Sequence, residues 1–160
     1  MEEALETFER LGEVKGQAQC LNELVRLFLY RMQIGAIENA ALRAVDLPSG
    51  KGQEFLVCSL HQILGKVYLC KGEKKKAIHH FEMALRLAST YNGHDEPFWI
   101  HCLLAEVFHE EGDFVNANAH TEQANSHAID YAYQRGRAMQ IQTKVRFSSS
   151  PPVSHALFPY

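Results

Sequence analysis

No run of eighteen apolar residues occurs in this chain and its mean hydropathy is −0.24, so no membrane-spanning helix is expected. The first residues, Met1 to Val14, are acidic and lack a basic start followed by an apolar stretch, so they do not read as a secretory signal. No charge of one sign dominates either. The net charge is −3 with a pI near 6.3, which excludes a nucleic-acid polycation. Cysteine is sparse: Cys20, Cys58, Cys70 and Cys102 form no CxxC pair and no zinc-finger spacing. With no export signal, they read as reduced thiols of a cytoplasmic protein, mostly small buried apolar groups.

The short motifs of enzymes are missing too. Gly50-Lys51-Gly52 is not a P-loop, and no GxGxxG occurs. His109-Glu110 opens like HExxH, but Asp113 stands where the second histidine would be. GxSxG is absent, so no nucleophile elbow is signalled. Nine histidines are present. His79 and His80 are adjacent and point to different sides of a helix, whereas His120 and His127 share an outer face two turns apart. Two such ligands without a third rarely hold zinc. His61 and His101, forty residues apart, read as partly buried packing residues that hydrogen-bond. The expectation is a non-enzyme with no cofactor and no metal.

What is present is the composition of a globular domain, 46% hydrophobic and 22% charged over 160 residues. A chain of this length buries roughly two thirds of its unfolded surface. The chain also repeats itself under a gapless shift of forty residues. Leu24, Leu64 and Leu104 form one column, and Val25, Gly65 and Ala105 the next. Phe28, Tyr68 and Phe108 are all aromatic. Met32, Gly72 and Gly112 follow, then Ile37, Ala77 and Ala117, then Ala41, Phe81 and Thr121, then Ala44, Ala84 and Ala124.

Each repeat holds two amphipathic helices. From Glu54 to Cys70, Leu56, Leu60, Ile63, Leu64, Val67 and Tyr68 share one face, and from Lys75 to Ser89, Ala77, Ile78, Phe81, Ala84, Leu85 and Ala88 do so. Lys71-Gly72-Glu73 breaks the pattern between them, so an antiparallel hairpin is expected. The same reading gives helices at Gln17–Arg31 and Gly35–Asp46, and at Phe98–Glu111 and Phe114–His127. Leu47 to Gly52 and Tyr91 to Pro97 are the linkers, with Asp95 placed to cap a helix beginning at Glu96-Pro97. The basic run Lys71, Lys74, Lys75 and Lys76 reads as a solvated turn, or else as a contact for acidic lipid or nucleic acid.

The order Leu64-Gly65, Tyr68, Gly72, Ala77, Phe81 and Ala84 resembles the tetratricopeptide repeat (TPR), here with a long period of about forty residues. Gly16 to Leu24, Lys51 to Tyr68, Gly72 to Leu85 and Phe98 to Phe114 resemble the repeats that follow the NACHT or NB-ARC domain of basidiomycete fungal NOD-like (STAND) proteins. The chain departs from the pattern at Val25, Met32, Ile37 and Thr121, and at Leu21, His61 and His101, where Trp is common. The resemblance implies an all-α, right-handed α-α superhelix over residues 1–146. It comprises a half repeat at 2–11, repeats at 17–46, 54–89 and 98–128, and a half repeat at 134–146. Residues 147–160, with the run Ser148-Ser149-Ser150-Pro151-Pro152 and no helical period, read as a disordered tail, or else as a peptide ligand or an out-of-frame gene end.

Such a solenoid implies function by surface shape, with first helices lining a concave groove. Family geometry places Asn22, Arg26 and Tyr30, then Gln62, Lys66 and Leu69, then Trp99, Cys102, Glu106 and His109 in that groove. Gln19, Leu29, Ser59, Cys70 and Glu110 flank them. The groove would run from basic (Arg26, Lys66) to acidic (Glu106, Glu110), with apolar anchors for a peptide. The expected role is therefore a non-catalytic protein- or peptide-binding module, as in the sensing array of a receptor, with neither nucleic acid nor membrane as partner. The alternative is a structural spacer, or a segment that self-associates through Ala4, Leu5, Phe8 and Leu11 on an open N-terminal helix.

Overall fold

A computed structural model of the chain describes residues 2–48, 53–91, 96–128 and 132–149. Among these residues there are eight α-helices and no strand: α1 (Glu2–Leu11), α2 (Val14–Tyr30), α3 (Ile34–Val45), α4 (Glu54–Cys70), α5 (Lys74–Ala88), α6 (Glu96–Glu110), α7 (Phe114–His127) and α8 (Ala132–Ser149). The protein is all-α. The helices fall where the apolar period places them, α4 and α7 to the residue. One end differs. α8 runs through Phe147, Ser148 and Ser149, three residues into the expected tail. No Pro or Gly stands there to stop it, and Pro151 comes only later. Residues 150–160 lie outside the described residues, as do most of the two linkers and the Asp95 cap.

The turns are built alike. After α2, α4 and α6 the chain reverses through Arg31-Met32-Gln33, Lys71-Gly72-Glu73 and Glu111-Gly112-Asp113. In each, the third residue's N–H donates to the carbonyl five residues back: Gln33 to Phe28 at 3.0 Å, Glu73 to Tyr68 at 2.8 Å, Asp113 to Phe108 at 2.9 Å. The aromatic column thus supplies the acceptor that closes every turn. The middle residue has φ of 54°, 75° and 78° in the three turns. Glycine reaches this left-handed region freely and Met32 does not.

A fourth reversal has the same form. Between α1 and α2, Gly12 has φ 66° and Glu13 N donates to Phe8 O at 2.9 Å. α1 is therefore joined to α2 by the turn that elsewhere joins two helices of one hairpin, not by a linker of the longer kind. α1 also packs on α2. Leu5 is buried, and the Phe8 ring lies where a Cβ on Gly16 would go. Of the apolar face expected to stand open, Ala4 and Leu11 remain exposed, Leu11 at 69%.

The chain divides into two compact units, Met1–Glu96 and Pro97–Tyr160. In the first, α2 packs on α3, α3 on α4 and α4 on α5. Its core holds Leu21, Val25, Ile37, Leu60, Leu64 and Phe81, with Ala41, Ala77 and Ala84 where helices come close. Full burial of Phe81 alone is worth about 2–3 kcal/mol. In the second unit Phe98, Cys102 and Ala105 of α6, Ala117 and Ala124 of α7, and Ala138, Ile141 and Val145 of α8 form one apolar cluster.

Candidate functional site

The residues assigned to a groove divide by unit. In the first, they stand on the solvent side of α2 and α4. Arg26 is 70% exposed at its side chain and pairs with Glu23 at 3.2 Å. Tyr30 is 88% exposed, and Lys66 is exposed. Asn22, Gln62 and Leu69 are half-buried beside them. Gln62 Nε2 donates to Cys58 Sγ at 3.6 Å, which anchors that amide to the core. α2 and α4 thus offer two cations and one large aromatic ring to solvent. The apolar residues Leu21, Leu24 and Phe28 occupy the opposite side of α2, as helical spacing requires. There they floor a cavity of about 530 Å³ between α1 and α3, across which Glu9 and Arg43 form an ion pair.

In the second unit the corresponding side of α6 is covered by α8. Cys102 is buried in the apolar cluster with Ala138, Ile141 and Val145, so its assignment to an open groove is corrected. Burial pushes its thiol up to about 11. Glu106 is bound to Arg137 of α8 at 2.5 Å, and Trp99 packs against the same cluster. His109 is half-buried, its ring edge-on to Phe114 at 5.7 Å between centroids. These four residues hold the second unit together.

The basic run is partly spent as well. Lys71 bonds Glu38 at 2.8 Å and approaches Glu73 at 3.4 Å, while Lys76 meets Glu73 at 2.6 Å. Both ammonium groups lie over the Tyr68 ring, at 5.6 and 5.1 Å. The Lys71 hydrogen bond holds the Glu38 carboxyl below its ordinary range. This cluster ties α3, α4 and α5 together.

The sequence reading expected His61 and His101 to hydrogen-bond but missed their partners. His61 of α4 faces His80 of α5, Nδ1 to Nδ1, at 2.9 Å, and His101 of α6 faces His120 of α7 at the same distance. His80 stacks on Tyr68 and His120 on Phe108, with ring planes 12° and 4° apart. His127 stacks on His101 at 5.6 Å. His120 thus faces its partner helix rather than the outside. The signal was available, since His80 and His120 are also forty residues apart, as His61 and His101 are. Among the described residues no group of three His, Cys, Asp or Glu is arranged to hold a metal, and no helix is long and apolar enough to cross a membrane. No model of a protein family matches this chain, and no curated protein matches it.

Proposed function

We propose that the chain is a non-catalytic protein-interaction module of the TPR type, a right-handed superhelix of helix hairpins, resembling the arrays of fungal NOD-like receptors. The observation that carries the binding reading is the solvent side of α2 and α4: Arg26 and Lys66 are unburied, and Tyr30 is 88% exposed. Large aromatic and arginine side chains carry most of the energy in protein interfaces, and a fully exposed tyrosine has gained nothing from folding. The two cations select a partner segment bearing Asp or Glu next to an apolar anchor. The forty-residue recurrence of turns and aromatic acceptors supports the repeat reading.

The test is an array of acidic-apolar peptides probed with the full chain, followed by titration of any binder by fluorescence anisotropy. Tyr30→Ala combined with Lys66→Glu is expected to weaken binding at least tenfold while leaving the helical circular dichroism unchanged. Equal binding by that double variant, or no peptide bound by the wild type, would remove the site.

A further inference from the structure

Two imidazole pairs of the same construction recur forty residues apart, one in each compact unit. In each, a first-helix histidine (His61, His101) is buried and meets a half-buried second-helix histidine (His80, His120) Nδ1 to Nδ1 at 2.9 Å. An aromatic ring, Tyr68 or Phe108, stacks on the outer imidazole. A neutral imidazole carries one N–H and one lone pair, so such a contact is a single N–H···N hydrogen bond between two different tautomers. One added proton can sit on a ring nitrogen away from the contact and leave that bond intact. A second must go to the accepting Nδ1. It then sets N–H against N–H and cation against cation inside the helix pair.

We propose that the His61–His80 and His101–His120 pairs are acid-release latches, each holding its two helices together while neutral and opening that helix pair when both rings are protonated. The surroundings favour release. His79 lies edge-on to His80 on α5, and Arg86 of the same helix adds its positive charge to His61. In the second unit His127 stacks on His101, giving three imidazoles in one cluster. No carboxylate is among the groups acting on His61, His80 or His101. Glu38 of α3 is held by Lys71, Glu106 of α6 is held by Arg137 of α8, and neither acts on His61 or His101. Burial first, then His80, His79 and Arg86, holds His61 down to about 4. Burial, His120 and His127 hold His101 down to about 4. Burial and His79 also lower His80.

The sign follows from linkage. Above the unfolded value of 6.5 these rings are neutral in both states and stability does not depend on them. As pH falls from 6.5 toward 4 the unfolded chain takes up protons that the folded chain refuses, so stability is lost across that window. The folding constant is expected to drop roughly a hundredfold for each of His61 and His101.

The experiment uses the full chain. Guanidinium midpoints are measured from about pH 7 to about pH 4.5, with imidazole carbon-bound protons followed by NMR in the folded state. The expected result is a steep fall below 6.5, with His61 and His101 failing to titrate until the helices open. The variant His61→Leu, His80→Leu, His101→Leu, His120→Leu fills the same space without titrating and should lose most of that fall. Midpoints in the wild type that stay flat across the range would overturn the proposal. So would His61 and His101 resonances titrating near 6.5 in the folded protein, a result that needs no variant to fold.

Discussion

The ring of Phe81 on α5 lies against Gly65 on α4, in the space that a Cβ on residue 65 would fill. The two helices of that hairpin therefore approach as closely as backbone and ring allow. Phe81 is buried completely because residue 65 has no side chain. The helix gains from glycine's absence elsewhere, but here the contact outweighs propensity.

Gly65→Ala is accordingly expected to destabilise the chain. Alanine improves helix propensity by about 1 kcal/mol, yet its methyl must displace a buried ring at an overpacking cost of about 1–3 kcal/mol. A lower denaturant midpoint with unchanged slope would show it, and a higher midpoint would contradict the packing described.

Met32→Gly should act in the opposite direction. Met32 holds φ 54° where the equivalent turns have glycine, and it is 77% exposed, so little packing is lost on its removal. Relief of the left-handed conformation, less glycine's greater freedom in the unfolded chain, leaves a gain of about 0.5–1 kcal/mol. Thermal melting reads this directly as a raised Tm.

Gln33→Asp should stabilise α3. Asp113, at the same place before α7, accepts from Asn116 N at 3.1 Å through its carboxylate, whereas Gln33 makes no side-chain cap although its backbone angles are nearly the same. A capping carboxylate there is worth about 0.5–1 kcal/mol. An unchanged midpoint would mean that the second helix of the first hairpin does not start as that of the third does.

Thiol reactivity should sort by burial. Cys70 is exposed, Cys20 half-buried, and Cys58 and Cys102 buried. The Cys58 thiol donates to Ala84 O at 3.4 Å, and burial pushes Cys102 up to about 11. Iodoacetamide on the native chain is expected to label Cys70 first and to reach Cys58 and Cys102 only after unfolding, as mass spectrometry of the peptides would record.

The helices were legible because an apolar stripe every three to four residues fixes which side of each helix is covered. The turns were legible where glycine marks them, at Gly72 and Gly112. The first was legible from the break between the helices expected at Gln17–Arg31 and Gly35–Asp46, but not that Met32 would take the left-handed conformation of a glycine there. Volume explains other departures. Gly65 with Phe81 becomes Val25 with Ala41 and Ala105 with Thr121 at the shifted positions, all buried, with the bulk moving from one helix to the other. Val25 and Thr121 stand out as departures when each column is taken alone, yet both are buried opposite a small residue. Periodicity could not tell which helix covers which stripe. Hence Cys102 was placed in solvent, although a thiol where Asn22 and Gln62 stand was itself a sign of cover by α8. The histidine contacts were hidden for the same reason, because each pair joins columns on two different helices.

The reversal at Gly12 has one more implication. Since α2 enters and leaves through the same kind of bend, α1, α2 and α3 are strung together at one short spacing, and a scheme that counts only in twos has no local rule by which to choose the mate of α2.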